Sequence, residues 1–217
     1  DWLELVADSR DFRFMFWNST INSESSSWDE RRQVDSATWF GEVPLEIMLQ
    51  LANEAGVDTW CTIPHMADDE YVREFATYVR DNLDPSLTVR VEYSNEIWNS
   101  IYDETHWLKD QAVQEWGDTS GSAHIDYGVM MATKVALIWE EVFAETTETS
   151  ELVNVIATQT ANPWITNRLI SGDGWKANDP DGFVDPSSVF EELGVTTYFG
   201  SKIVSTEETR LELISAI

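Results

Sequence analysis

Asn95 and Glu96 carry the clearest chemistry in this chain. They close the stretch Val89-Arg90-Val91-Glu92-Tyr93-Ser94-Asn95-Glu96-Ile97-Trp98-Asn99. The stretch opens with β-branched residues alternating with polar ones, the period of a strand. A carboxylic acid at the carboxyl end of such a strand, beside an amide and the flat ring of Trp98, suits acid/base work on a sugar. The competing assignment is a surface glutamate at the end of an ordinary antiparallel strand, capping the next helix. On a period of two, Val89, Val91 and Tyr93 share one face, and Arg90, Glu92, Ser94 and Glu96 share the other. A strand with one apolar and one charged face is either half exposed or lines a polar barrel interior.

The flanking pattern supplies elements to position that pair. Residues 12–17 read as a strand, followed by a polar loop running to Trp39. Residues 43–55 read as a helix, with Leu45, Met48, Leu49 and Ala52 on one stripe and Gly56 as its stop. A mostly apolar strand over 57–64 ends in Pro64-His65. Asp68 and Asp69 favour a helix start ahead of the stripe Val72, Phe75, Ala76, Val79 and Leu83. Asp84-Pro85 turns the chain into the strand at 87–94. An aromatic-rich excursion then leads to a helix over 123–145. Further on come a strand at 152–158, a short helix at 163–170, a Gly/Pro/Asp loop at 172–188, helical residues 189–193, a strand at 195–199 and a last helix from Glu207.

Strands and helices thus alternate, with crossovers long enough for parallel pairing. An open doubly wound sheet and part of a (β/α)8 barrel both fit. No glycine-rich phosphate loop follows a strand, which counts against a nucleotide-binding sheet. Polar and aromatic residues instead follow several strand ends: Trp17-Asn18, His65, Asn95-Glu96, Gln159 and Tyr198. A barrel gathers all those ends at one mouth, so the expected fold is α/β of the (β/α)8 TIM-barrel type, in a single domain.

In these residues the chain resembles the clan-A glycoside hydrolases, retaining (β/α)8 enzymes with an Asn-Glu pair at the end of their fourth strand. If 12–17 is the second strand, 57–64 is the third and 87–96 the fourth, and Asn95-Glu96 falls at the acid/base position. The resemblance then implies that Tyr198, on the sixth strand, and Arg13, on the second, approach a nucleophilic carboxylate. The order of elements is similar over most of the chain; only the Asn-Glu element is specific. The clan's nucleophile lies at the end of strand seven, whereas this chain reads as strands two to six, with strand one missing or reduced to residues 2–7. The barrel is therefore expected to be incomplete, with another chain or a missing segment completing it.

The expected reaction is retaining hydrolysis of a β-linked polysaccharide, which needs two carboxyls roughly 5–5.5 Å apart. Glu96 would be the acid/base and Asn95 a donor to the sugar 2-hydroxyl. Glu92 lies deeper on the same face and is expected to pair with Arg90 or Arg13 rather than act as nucleophile. Arg13, Trp17, His65, Trp98, Gln159 and Tyr198 are the candidate substrate contacts. Trp17, Trp28, Trp39, Trp98, Trp164 and Trp175 sit in or beside loops, where rings can stack on pyranose faces, although core packing explains any single one better. A non-catalytic carbohydrate-binding or cell-surface module derived from such a barrel is the alternative function.

Composition sets limits on partners. The 217 residues carry 40 acidic against 13 basic side chains, a net charge of −27. That charge repels a phosphate backbone, so nucleic acid is not an expected partner. Acidic residues scattered without long blocks suit a solvated surface in salty water, and a secreted, extracellular or cell-surface protein of a saline environment is expected, with an acidic surface that binds calcium as the rival reading. No apolar run approaches a membrane span. The lone Cys61 lies in an apolar run and reads as a buried small hydrophobe. His106 and His124 lack partners at ligand spacing, and Asp179-Pro180-Asp181-Gly182 lacks the closing glutamate of an EF-hand, so neither a metal nor a cofactor is expected. The chain opens on Asp1 without a signal-like segment, which reads as a processed product or a fragment.

Overall fold

Alternation of apolar and polar residues builds the strands of a parallel sheet, and amphipathic stripes build the helices that cover one side of it. The computed structural model describes residues 2–6 and 8–196. In chain order the elements are α1 (Trp2–Val6), β1 (Asp11–Arg13), α2 (Leu45–Ala55), β2 (Asp58–Ile63), α3 (Asp69–Asn82), β3 (Thr88–Tyr93), α4 (Asp103–Trp116), α5 (Ala123–Phe143), β4 (Glu151–Thr158), α6 (Pro163–Ser171), α7 (Asp173–Asn178) and β5 (Glu192–Val195). Single 3-10 turns occur at Trp28–Glu30 and Pro186–Ser188. None of the described helices is long and apolar enough to cross a membrane.

The five strands pair in parallel and in chain order, β1-β2-β3-β4-β5. A doubly wound sheet reverses its order at a switch point; this one does not, which is the winding of a TIM-like barrel. The sheet is curled into a half-barrel, and side chains reach across its concave face. Arg90 on β3 bonds Asp11 on β1 and, through Nε at 2.9 Å, Glu192 on β5. A Cβ at Gly194 on β5 would stand 3.4 Å from the Trp60 ring on β2. The convex face carries the core: Cys61, Ile63, Val89, Val91 and Tyr93 pack with Tyr71, Val72, Phe75 and Val79 of α3 and with Val135, Ile138, Trp139 and Val142 of α5. Cys61 is buried there as a free thiol, which burial pushes up to about 12.

Local signals explain the helix bounds. Asp68 caps α3 by accepting the Tyr71 N–H at 2.7 Å, Asp69 and Glu70 follow in the first turn, and Arg80 sits in the last. Gly56 ends α2 at a φ of 66°, a conformation costly for any residue with a Cβ. Asn162 caps α6 ahead of Pro163.

Several sequence expectations are corrected. The strand read at 12–17 stops at Arg13, because the next β2 carbonyl, that of Thr62, is taken by the Asn18 side chain; the chain then winds into a turn closed by Asn18 N–H to Phe14 C=O at 2.8 Å. Residues 2–6, read as a reduced strand, are helical. Residues 189–193 are not a helix. Instead Asn154 and Glu191 exchange bonds, with the Asn154 N–H donating to the Glu191 carboxylate at 2.7 Å, and that exchange starts β5 three residues earlier than expected. The excursion after Glu96 contains α4, and the 172–188 loop contains α7. The rest of the strand read at 195–199 and the helix from Glu207 lie outside the described residues.

Arg90 is the hub of the concave face at the amino ends of the strands, with Asp11, Asp58 and Glu192 as its ion-pair partners. Replacing Arg90 with Ala leaves three carboxylates facing one another. We expect a loss of about 2–3 kcal/mol in urea unfolding, below the figure for a fully buried pair because the partners are partly solvated. A loss under about 0.5 kcal/mol would mean that the network does not hold the curl.

Candidate functional site

Strand β3 runs extended only as far as Tyr93. Ser94 still donates its N–H to the Ile63 carbonyl at 2.8 Å, but its φ is 59° and that of Glu96 is 36°. Two left-handed residues that are not glycine, separated by one residue, cost about 1–3 kcal/mol each and concentrate where a side chain must be aimed. The alternation read from the sequence therefore ends before Glu96, and a tight turn sets its direction. Asn99 closes that turn, donating its N–H to the Glu96 carbonyl at 2.7 Å and its side-chain amide to Glu96 Oε2 at 2.9 Å.

The turn forms one wall of a cavity of about 260 Å³ at the carboxyl ends of the strands, lined by Arg13, Trp60, Glu92, Asn95, Glu96 and Trp98, with Ala157 and residues 194–196 opposite. Asn95 and Glu92 are buried, and Glu96 and Trp98 are half-buried. Glu92 is held by Arg13, whose Nη2 and Nε lie 2.7 and 3.2 Å from Glu92 Oε2. Burial pushes the Glu92 carboxyl above its ordinary range and the Arg13 guanidinium opposes it. The guanidinium also lies over the Trp60 ring, 5.3 Å from its centroid. The expected Glu92–Arg13 pairing is thus present, and Arg90 serves the other end of the sheet.

Of the candidate residues, Arg13, Asn95, Glu96 and Trp98 meet in this cavity. The others are not brought to it. His65 is only 2% exposed, its ring lies edge-on to Trp107 at 5.4 Å, and its carbonyl accepts the Tyr93 hydroxyl at 2.8 Å. Burial lowers its imidazole to about 4, with Asp103 opposing, so the ring is neutral and packed behind the rim. Trp17 is exposed but lies off the cavity, tilted against Phe14 at 5.6 Å. Gln159 is half-buried and its carbonyl accepts the Asn162 N–H at 3.2 Å, ahead of α6. Tyr198 lies outside the described residues.

Two residues escaped the sequence reading. Trp60 lines the cavity, although in sequence it looks like one more member of an apolar strand. Glu104, in the first turn of α4, is completely buried; its Oε2 accepts the Asn22 N–H at 3.0 Å, and its Oε1 has no partner among the described residues. Burial raises this carboxyl, with the charges of Asp103 and Glu96 adding to the effect. The Asp103-Glu104 doublet at a helix start was the available signal, hidden because Tyr102 at the N-cap supplies no side-chain bond.

No known protein family, curated protein or solved structure matches this chain. Function must therefore be read from the geometry of the cavity.

The Glu104 environment makes a pH-dependent prediction. The fold favours its protonated form, so its contribution to stability is full below about pH 4.5 and is lost as pH rises through the raised value. Glu104→Gln removes that loss. Chemical denaturation should find the variant gaining on the parent protein as pH rises from about 4 to about 7. Parallel stability curves would show that Glu104 is not strained by its burial.

Proposed function

We propose that the chain is the catalytic-domain portion of a retaining glycoside hydrolase of the clan-A type, acting on a β-linked polysaccharide outside the cell in a saline setting. One observation carries the reading. A single cavity at the carboxyl ends of a curled parallel sheet gathers a half-buried glutamate, a buried amide and an indole above a floor formed by an arginine–glutamate pair. In that reading Glu96 protonates the leaving glycosidic oxygen and later deprotonates water. Asn95 donates to the sugar 2-hydroxyl, and Trp98 offers a face to the ring. The attacking carboxylate is assigned outside residues 2–196, because Glu92 is sunk in the floor and already bound by Arg13. The net charge of −27 supports the saline, extracellular setting.

That engagement of Glu92 also favours a second reading, a carbohydrate-binding module that kept the cleft without a second working carboxylate. Sugar release from β-glucan, xylan and mannan, compared between the parent protein and Glu96→Gln, tests the first reading. The substitution should lower turnover by at least ~100-fold with little change in glycan binding. Equal turnover by both proteins would remove Glu96 from the mechanism, and binding by the parent without any turnover would favour the module.

A further inference from the structure

Beside the cavity lies an island of aromatic surface that the proposed chemistry does not use. Phe16 and Phe40 are 74% and 89% exposed, and Trp17 and Trp39 are 36% and 38% exposed. Exposed rings in such a group mark a contact surface rather than a stray core residue. They belong to two loop arms that the backbone ties together. The first arm, residues 14–20, is wound by Asn18 N–H to Phe14 C=O, and the second turns back at Gly41, with Glu42 N–H to Trp39 C=O at 3.2 Å. Val43 N–H then donates to the Trp17 carbonyl at 2.8 Å, which sets the 39–42 turn against the first arm.

The platform is rooted beside the cavity, although none of its rings lines it. Its first arm leaves β1 directly after Arg13, a cavity wall, and is seated on β2 by the Phe14 N–H on the Trp60 carbonyl at 3.0 Å. It also differs in charge from the rest of the chain. Residues 14–23 and 36–41 contain no Asp, Glu, Lys or Arg, in a protein with 53 such side chains. Around the rings Ser19, Ser36 and Thr38 bring hydroxyls to the surface, while Asn18 and Thr20 are buried and anchor the first arm on Thr62.

We infer that Phe16, Trp17, Trp39 and Phe40 form a stacking platform for an uncharged polysaccharide chain, on loops rooted beside the cavity. A pyranose ring presents C–H faces to aromatic rings and hydroxyl edges to hydroxyls, which is the chemistry this island offers. An uncharged glycan also approaches a protein of charge −27 without electrostatic cost. An anionic membrane or an acidic polysaccharide would be repelled, and a second copy brings the same charge. Binding at the platform goes beyond the proposed hydrolysis and does not depend on Glu96 turning the chain over.

The test is co-sedimentation of the full chain with amorphous cellulose, insoluble xylan and insoluble mannan, with alginate as an anionic comparison. Two double variants are used, Trp39→Ala/Phe40→Ala and Phe16→Ala/Phe40→Ala, the second touching only rings largely in solvent. The parent protein and Glu96→Gln should be retained by at least one neutral polysaccharide. Both double variants should bind it at least ~10-fold more weakly with unchanged circular dichroism. Retention by none of the neutral polysaccharides, or retention unaltered in both double variants, overturns the platform. So does finding that the substitutions abolish a dimer in size-exclusion chromatography or binding to phosphatidylcholine vesicles instead. Loss of hydrolysis without loss of retention bears only on the catalytic reading, so the two failures are distinguishable.

Discussion

Burying a carboxylate on the concave face of a curled sheet is unfavourable unless an opposite charge is held against it, and the arrangement of the cavity follows from how Glu92 meets that requirement. Arg13 reaches it from two strands away, so β1 must curl towards β3. The same guanidinium spreads over Trp60 and fixes that ring as a wall. Removing Arg13 would leave the Glu92 charge without its match in a poorly hydrated place. At the other end of the strands, Arg90 performs the equivalent task with Asp11, Asp58 and Glu192. The two arginines thus link β1, β3 and β5 across a face that apolar packing alone would not hold curved.

The floor is rigid, and the rim is strained. Ser94 and Glu96 both take left-handed backbone, and Asn99 holds the resulting turn through main chain and side chain. Such a turn persists only when its surroundings over-determine it. Here those surroundings are the β2–β3 ladder behind it and α4 ahead of it, with Thr105 donating its hydroxyl to the Ile97 and Asn99 carbonyls at 3.1 and 2.9 Å. The side chain best suited to proton transfer is therefore aimed by backbone geometry, not by the alternation of the strand that precedes it.

Much of this was legible along the chain. The stripes of α2 and α3 and the apolar β2 have periodicities that declare themselves over six or more residues, and the buried residues match them. The cavity residues Asn95, Glu96 and Trp98 were found because they follow one strand end closely. His65, Trp17 and Gln159 follow other strand ends just as closely, yet pack elsewhere, because position after a strand does not specify which way a loop turns. Glu104 and Trp60 were missed for a related reason: burial beside a cavity leaves no mark on a single residue's neighbours in sequence.

Local chemistry in the sequence determined the types of α2, β2, α3, β3, α5, β4 and α6, the parallel alternation, the apolar stripes of α2 and α3, and the presence of an amide–carboxylic acid pair at a strand end. Those properties depend on residues within a few positions of one another. Tertiary structure alone decided the curl of the sheet, the choice of Arg13 rather than Arg90 for Glu92, the early end of β1, and the gathering of residues 13, 60, 92 and 96 around one cavity. These are contacts between residues far apart in the chain, and the competition for the Thr62 carbonyl or the Glu92 carboxylate is settled only once the strands lie side by side.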